Sequence, residues 1–285
     1  MSELLRTLSD FSVQLFAIGS MASIGVHYTV GEIIGPLRRF WVVVVALIAN
    51  FVAVPLLAFV ILHVIKLDQA YAIGLVLVAL AAGAPMIIKL TQLSGGDVAF
   101  SAGLLVLLIV VSIVYMPLVI PLLAPASEIS AWAIAAPLVL TMLLPLAVGL
   151  LVKRLAPRTG PILAVLRVVT EVSLVTLIVL TFALNLPLVL GVIGTGAILA
   201  SLMFIAGAFG IGWVLGGAFG DALRDEMALG TSQRNFAAAL VVATQSFEAP
   251  GVVVMTVIVS PVTMAVLFPA AKLLNRHTHA HARAA

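Results

Sequence analysis

Side chains suited to binding a ligand crowd together in Gly230-Thr231-Ser232-Gln233-Arg234-Asn235. The stretch sits in apolar sequence, after Glu226-Met227-Ala228-Leu229 and before Phe236-Ala237-Ala238-Ala239-Leu240-Val241-Val242. An arginine at membrane depth costs roughly 3 kcal/mol or more, so it is tolerated only with partners or a water-filled cavity. Its guanidinium makes charge-assisted, often bidentate hydrogen bonds with carboxylates. Thr231, Ser232, Gln233 and Asn235 are suitable ligands for an anion or an ion. Their competing use is helix-to-helix hydrogen bonding, worth about 0.6 kcal/mol each. Arg234 has a competing use too, as a partner for a cluster of backbone carbonyls. A glycine followed by small hydroxyl residues is also a place where a membrane helix can break, and the expected break is Gly230–Ser232.

A second stretch has the same character. Leu80-Ala81-Ala82-Gly83-Ala84-Pro85-Met86-Ile87-Ile88-Lys89-Leu90-Thr91-Gln92 places a glycine and a proline in mid-span, then Lys89 and Thr91. Pro85 cannot donate a backbone hydrogen bond, so an interruption is expected near Gly83–Pro85. Lys89 is a site candidate, with snorkelling to the nearer interface as the alternative. Interrupted spans in corresponding positions of two halves mark the binding site of secondary transporters. Pro85, Lys89, Thr91, Thr231, Ser232, Gln233, Arg234 and Asn235 therefore form the expected substrate site.

These elements need a membrane around them. Of 285 residues 64% are hydrophobic and 9% charged, and the mean hydropathy is +1.31. A soluble domain carries about 25% charged residues. The composition gives an all-α polytopic membrane protein, and the long continuous apolar runs exclude a β-barrel. At about 20 apolar residues per span, the chain divides into about nine segments. They cover roughly 10–29, 38–65, 69–94, 97–124, 131–153, 161–186, 189–219, 222–247 and 250–273. The interrupted ones are the third and eighth. The expected organisation is one transmembrane domain over 1–285. Its inverted repeats are 10–124 and 161–273, the linking span is 131–153, and a cytoplasmic tail covers 274–285.

The net charge of +3 is explained by topology rather than by nucleic acid. Arg38, Arg39, Lys153, Arg154, Arg158, Arg224, Lys272, Arg276 and Arg283 fall on one set of connectors. The other set offers Arg6 and Lys66, beside Asp68, Glu128 and Glu248. The positive-inside rule then puts the N-terminus outside and the C-terminus in the cytoplasm, as expected for a bacterial inner membrane.

The remaining polar residues have plainer uses. Glu171 and Arg167 stand at helical spacing for an intrahelical pair. His27 and His63 fall at span ends, and His277, His279 and His281 lie in a solvated tail. Gly95-Gly96 reads as a turn and Gly216-Gly217 as a close helix contact. No cofactor or metal is expected. No Ser/His/Asp set or carboxylate pair is placed for hydrolysis, so an enzyme is not expected.

The layout resembles the bile acid:sodium symporter family over residues 10–272. The likeness is carried by Ala82-Gly83-Ala84-Pro85 through Gly96-Asp97-Val98-Ala99-Phe100-Ser101, by Asn50-Phe51-Val52-Ala53-Val54-Pro55-Leu56, and by Gly230 through Leu240. The resemblance implies core and panel domains, two discontinuous helices crossing in the core, and an organic anion bound beside the crossing. It carries ion-binding positions to Asn50, Ser101 and Ala228. The family's sodium-ligating Glu falls on Ala228, its motif Gln and Asn on Ser232 and Gln233, and a sodium-ligating Ser-Asn pair on Ile87 and Ile88. Most of the sodium-binding oxygens are thus missing, while Lys89 and Arg234 stand beside the lost positions. The expectation is that these side chains replace the ions as permanent positive charge.

Three readings stay open at this stage. The first is an alternating-access carrier for a small organic anion without sodium. The second keeps sodium coupling through rearranged ligands. The third is a channel or a non-transporting membrane protein. The expected partners are the anion and the lipid bilayer, with no nucleic acid.

Overall fold

A computed structural model describes residues 2–35, 38–123, 131–156 and 158–284; Glu128 lies outside them. The described chain is built from helices, and its only β-type pairing is one isolated antiparallel bridge, Ala82 to Arg234. The first helices are α1 (Ser2–His27), α2 (Val30–Ile34) and α3 (Phe40–Ile48). A π-helical turn, Ala49–Ala53, joins α3 to α4 (Val54–Val64). Then come α5 (Gln69–Leu80), α6 (Met86–Ser94) and α7 (Val98–Leu123). Helices α8 (Ala131–Leu138) and α9 (Leu144–Leu155) flank a second π-helical turn, Val139–Leu143. The rest are α10 (Gly160–Gly191), α11 (Ala197–Gly217), α12 (Asp221–Ser232), α13 (Phe236–Ser246) and α14 (Pro250–Ala284).

The two interruptions have different causes. Helix α5 stops at Leu80, Gly83 takes a left-handed φ of 81°, and Pro85 opens α6. The missing N–H of Pro85 costs nothing in a first helical turn, which has no partner for it. Helix α12 ends at Ser232, with Gln233 extended and Asn235 capping α13 through its side-chain oxygen, which accepts the Ala238 N–H at 3.1 Å. Gly230 is therefore interior to α12, and the interruption expected near Gly230–Ser232 falls at the end of that stretch, at Gln233. What Gly230 provides is space: a Cβ there would lie 2.6 Å from Leu104 and 2.9 Å from Ile87.

Other expectations shift at their edges. The seventh segment starts at Ala197 rather than 189, because Gly194 and Gly196 both take left-handed φ and turn the chain. Helix α14 runs on to Ala284, through the residues expected as a tail. The side chains of His277, His279 and His281 lie outside those described. Gly95 ends α6 with φ 73°, and Gly96 donates to the Thr91 carbonyl at 3.0 Å, a helix-ending turn as expected. Gly216 lets α11 press on α12, where a Cβ would stand 2.8 Å from Arg224 Cα.

Among the described residues five stretches are long and apolar enough to cross a membrane: Phe40–Val64, Val98–Ile120, Gly160–Leu180, Ala197–Gly217 and Pro250–Asn275. Large apolar side chains such as Val60, Val114, Val175 and Val214 are exposed along them. That fits lipid, because in a bilayer apolar surface needs no burial. Helix α1 packs mainly on α9 and α10, whereas α5, α6 and α11 to α13 gather around α14.

Candidate functional site

The two interruptions meet. Besides the Ala82–Arg234 bridge, the Asn235 N–H donates to the Ala81 carbonyl at 2.8 Å, and Asn235 Nδ2 donates to the Gly83 carbonyl at 3.0 Å. Ser112 of α7 closes the same point by donating to the Ala82 carbonyl at 2.9 Å. Met142, from the second π-helical turn, puts its sulfur 3.6 Å from Asn235 Nδ2.

Arg234 is fully buried at this crossing. Its Nε donates to the Val78 carbonyl at 3.4 Å. Nη1 reaches Asn50 Oδ1 at 2.8 Å and the Thr231 carbonyl at 3.5 Å. Nη2 reaches the Asn50 carbonyl at 3.4 Å and the Ala79 carbonyl. A guanidinium has five N–H donors, so these five contacts use all of them. Val78 and Ala79 lie in the last turn of α5, and Thr231 in the last turn of α12. Helix C-terminal ends carry partial negative charge and unsatisfied carbonyls, which is where a cation belongs.

The Asn50 carbonyl is available because of Pro55. In a regular helix that carbonyl would accept from Val54, but in the π-helical turn Val54 donates to Ala49 instead. The next candidate donor is Pro55, which has no N–H. The same proline leaves the Phe51 carbonyl free, and Tyr115 of α7 fills it with an O–H bond of 2.8 Å. A proline five residues after an asparagine in an apolar run was the sequence signal for this, and sequence reasoning missed Tyr115.

The other candidates are distributed around this centre. Thr231 Oγ1 accepts from Asn50 Nδ2 at 3.4 Å. Gln233 is buried, with Nε2 3.4 Å from the Arg234 carbonyl. Ser232 bonds within its own helix, donating to the Ala228 carbonyl at 2.7 Å. Ala228 is buried and has no side-chain oxygen, and Ser232 takes up its carbonyl. Pro85 is buried where α6 begins. Thr91 and Ser101 form a buried hydroxyl pair at 2.8 Å, away from the guanidinium's own partners. Lys89 is not among those partners either: its Nζ lies 3.4 Å from Glu171 of α10, whose same oxygen is 3.9 Å from Arg167.

Glu226 is a buried acid that the sequence offered only as flanking text. It is 1% exposed, accepts the Asp97 N–H through Oε1, and leaves Oε2 without a hydrogen bond among the described residues. Gly96 makes room for it, since a Cβ there would lie 3.0 Å from Oε1.

Crossed half-helices with their carbonyl ends gathered on one point are a transporter's geometry. The family model of the sodium bile acid symporters matches residues 14–193, well over half of the chain. The chain belongs to the sodium bile acid symporter family. The match takes in Asn50, the first interruption and Lys89, and ends before α11, so the second interruption with Arg234 lies beyond it. No curated protein matches the chain. Membership in the symporter family, with the five apolar helices, makes this an integral membrane protein of the transporter type.

Proposed function

We propose that the protein is a secondary transporter for a small organic anion, with Arg234 serving as a built-in cation where a symporter of this family would hold a sodium ion. One observation carries the proposal: a buried guanidinium bound by the oxygens of Asn50, Val78, Ala79 and Thr231. A hard cation is held by just such a set of carbonyl and amide oxygens. All five partners are neutral, and among the described residues no carboxylate pairs with Arg234. The crossing thus keeps a positive charge met by helix-end dipoles and by no carboxylate among the described residues, and that charge attracts an anion at short range in a low dielectric.

Alternating access then comes from motion between two helix groups. One is α1 with α9 and α10, and the other is the set around α14 that holds the crossing. They correspond to the panel and core of the family, within nine spans arranged as inverted repeats. The N-terminus faces outside and the C-terminus the cytoplasm of a bacterial inner membrane. The segregation of Arg38, Arg39, Lys153, Arg154, Arg158 and Lys272 supports that orientation. A C-terminal reporter active only in the periplasm would reverse it.

The functional test is uptake of labelled carboxylates and bile acids into proteoliposomes, in sodium buffer and in choline buffer. Saturable uptake with counter-flow, equal in the two buffers, is expected. Uptake that collapses in choline would overturn the built-in cation, and non-saturable flux would make the protein a channel.

A further inference from the structure

The two cations of the interrupted spans differ in what they have left to offer. Arg234 spends five donors on five acceptors. Lys89 has three donors, and among the described residues its Nζ makes one hydrogen bond, 3.4 Å long, to Glu171. Charge-assisted pairs of this kind close to about 2.7–2.9 Å when they are strong. Neither partner is buried, with side chains 34% and 52% exposed. Glu171 is shared as well, because Arg167 approaches the same oxygen from its own helix at 3.9 Å. The pair joins α6, an arm of the crossing that packs on α14 and α7, to α10, which packs most closely on α1.

Any carboxylate that enters here meets a cation already holding a carboxylate, loosely. Arg234 attracts the anion through space but has no donor to give it. The ammonium of Lys89 has donors to give, and the acid it pairs with among the described residues is Glu171.

Resting on the anion-transport reading above, we infer that Lys89 is the side chain that binds the substrate's carboxylate or other anionic group, and that Glu171 occupies the substrate's place in the empty protein. Arrival of the anion breaks the Lys89–Glu171 pair, which is also a tie between α6 and α10. The same event that fills the site therefore removes one tie between the two helix groups, which also meet where α10 packs on α14. Glu171 is at once an internal competitor and a latch. No bond is made or broken covalently; one carboxylate exchanges for another on a fixed ammonium.

The chain contains no cysteine, so spin labels can be placed uniquely. Binding of cholate, as the test anion, is measured on the purified protein for wild type, Glu171→Gln, Lys89→Gln and the double variant. Glu171→Gln is expected to bind about threefold or more tightly, because the competing carboxylate is gone and the pair it made is longer than a strong one. Lys89→Gln is expected to bind several-fold more weakly, and the double variant to follow Lys89→Gln. Unchanged or weaker binding by Glu171→Gln, or wild-type binding by Lys89→Gln, would overturn the inference. The second measurement needs no ligand. Nitroxides at Gln92 and Val172, both exposed, report the α6–α10 separation. Glu171→Gln alone should broaden and lengthen the distribution, and a distribution like that of wild type would refute the latch. Cholate that binds none of the four proteins would count against the carboxylate reading of function, and the label distances would still decide the latch.

Discussion

Asn50 meets Arg234 twice, through its side-chain oxygen at 2.8 Å and its backbone carbonyl at 3.4 Å. The same asparagine uses its Nδ2 on the Ala46 carbonyl at 3.0 Å, which holds the side chain in place. The π-helical turn around Asn50 is thereby tied to the crossing, and the tie is a cation 184 positions away in sequence. Removing that cation has consequences for stability and for ion response together.

Arg234→Gln should cost about 3 kcal/mol or more and abolish transport, because several buried carbonyls lose their donor at once. Arg234→Lys keeps the charge but not the planar fork, so it should retain part of the stability. Arg234→Ala leaves the oxygens of Asn50, Val78, Ala79 and Thr231 around an open space. Sodium should then raise the melting temperature of Arg234→Ala and leave wild type unmoved. A thermal-shift comparison in sodium and choline measures this, and a wild type that responds to sodium as strongly as the variant would refute it.

Gly83→Ala should destabilise by about 2 kcal/mol or more, combining a left-handed backbone penalty with overpacking. The residue has φ 81°, and a Cβ would lie 3.0 Å from both Ile109 N and Leu108 Cβ. The measurement is loss of folded protein on heating in detergent. A melting temperature equal to that of wild type would show that the crossing tolerates a side chain there.

Tyr115→Phe should cost about 1–2 kcal/mol, since it strips the donor from a carbonyl that Pro55 cannot serve. The ring stays, packed edge-on against Phe51 at 4.8 Å between centroids. Transport should survive with lowered thermal stability, because the hydroxyl bonds only to the protein. Loss of transport at unchanged stability would instead make Tyr115 a ligand of the substrate.

Glu226→Gln should be neutral or stabilising, and Glu226→Ala destabilising by about 2 kcal/mol. Glutamine keeps an oxygen for the Asp97 N–H and replaces a group whose ionised form is costly to bury without a cation beside it. Alanine leaves that N–H unpaired and a cavity behind it. The two melting temperatures, measured side by side, must fall in this order. Destabilisation by glutamine as large as by alanine would point to a buried cation partner for the carboxylate.

The sequence by itself determined the membrane solvent, the helical class and the first interruption. Each follows from a local rule: apolar runs long enough to span, backbone groups that lipid cannot satisfy, and a proline after a left-handed glycine. It also marked Arg234 as a charge that must have partners. The tertiary structure decided who those partners are. Gly230 looked like a break and is a contact with Leu104 and Ile87, while the chain breaks three residues later, where Asn235 bonds to Ala81 and Gly83. Lys89 and Arg234 were both candidates for the anion site, yet one faces Glu171 on another helix and the other is enclosed by carbonyls. Glu226 carried no signal, because its burial comes from the turn at Gly96 and Asp97. A backbone rule acts within a few residues, whereas the fate of a polar side chain depends on which helix ends arrive beside it.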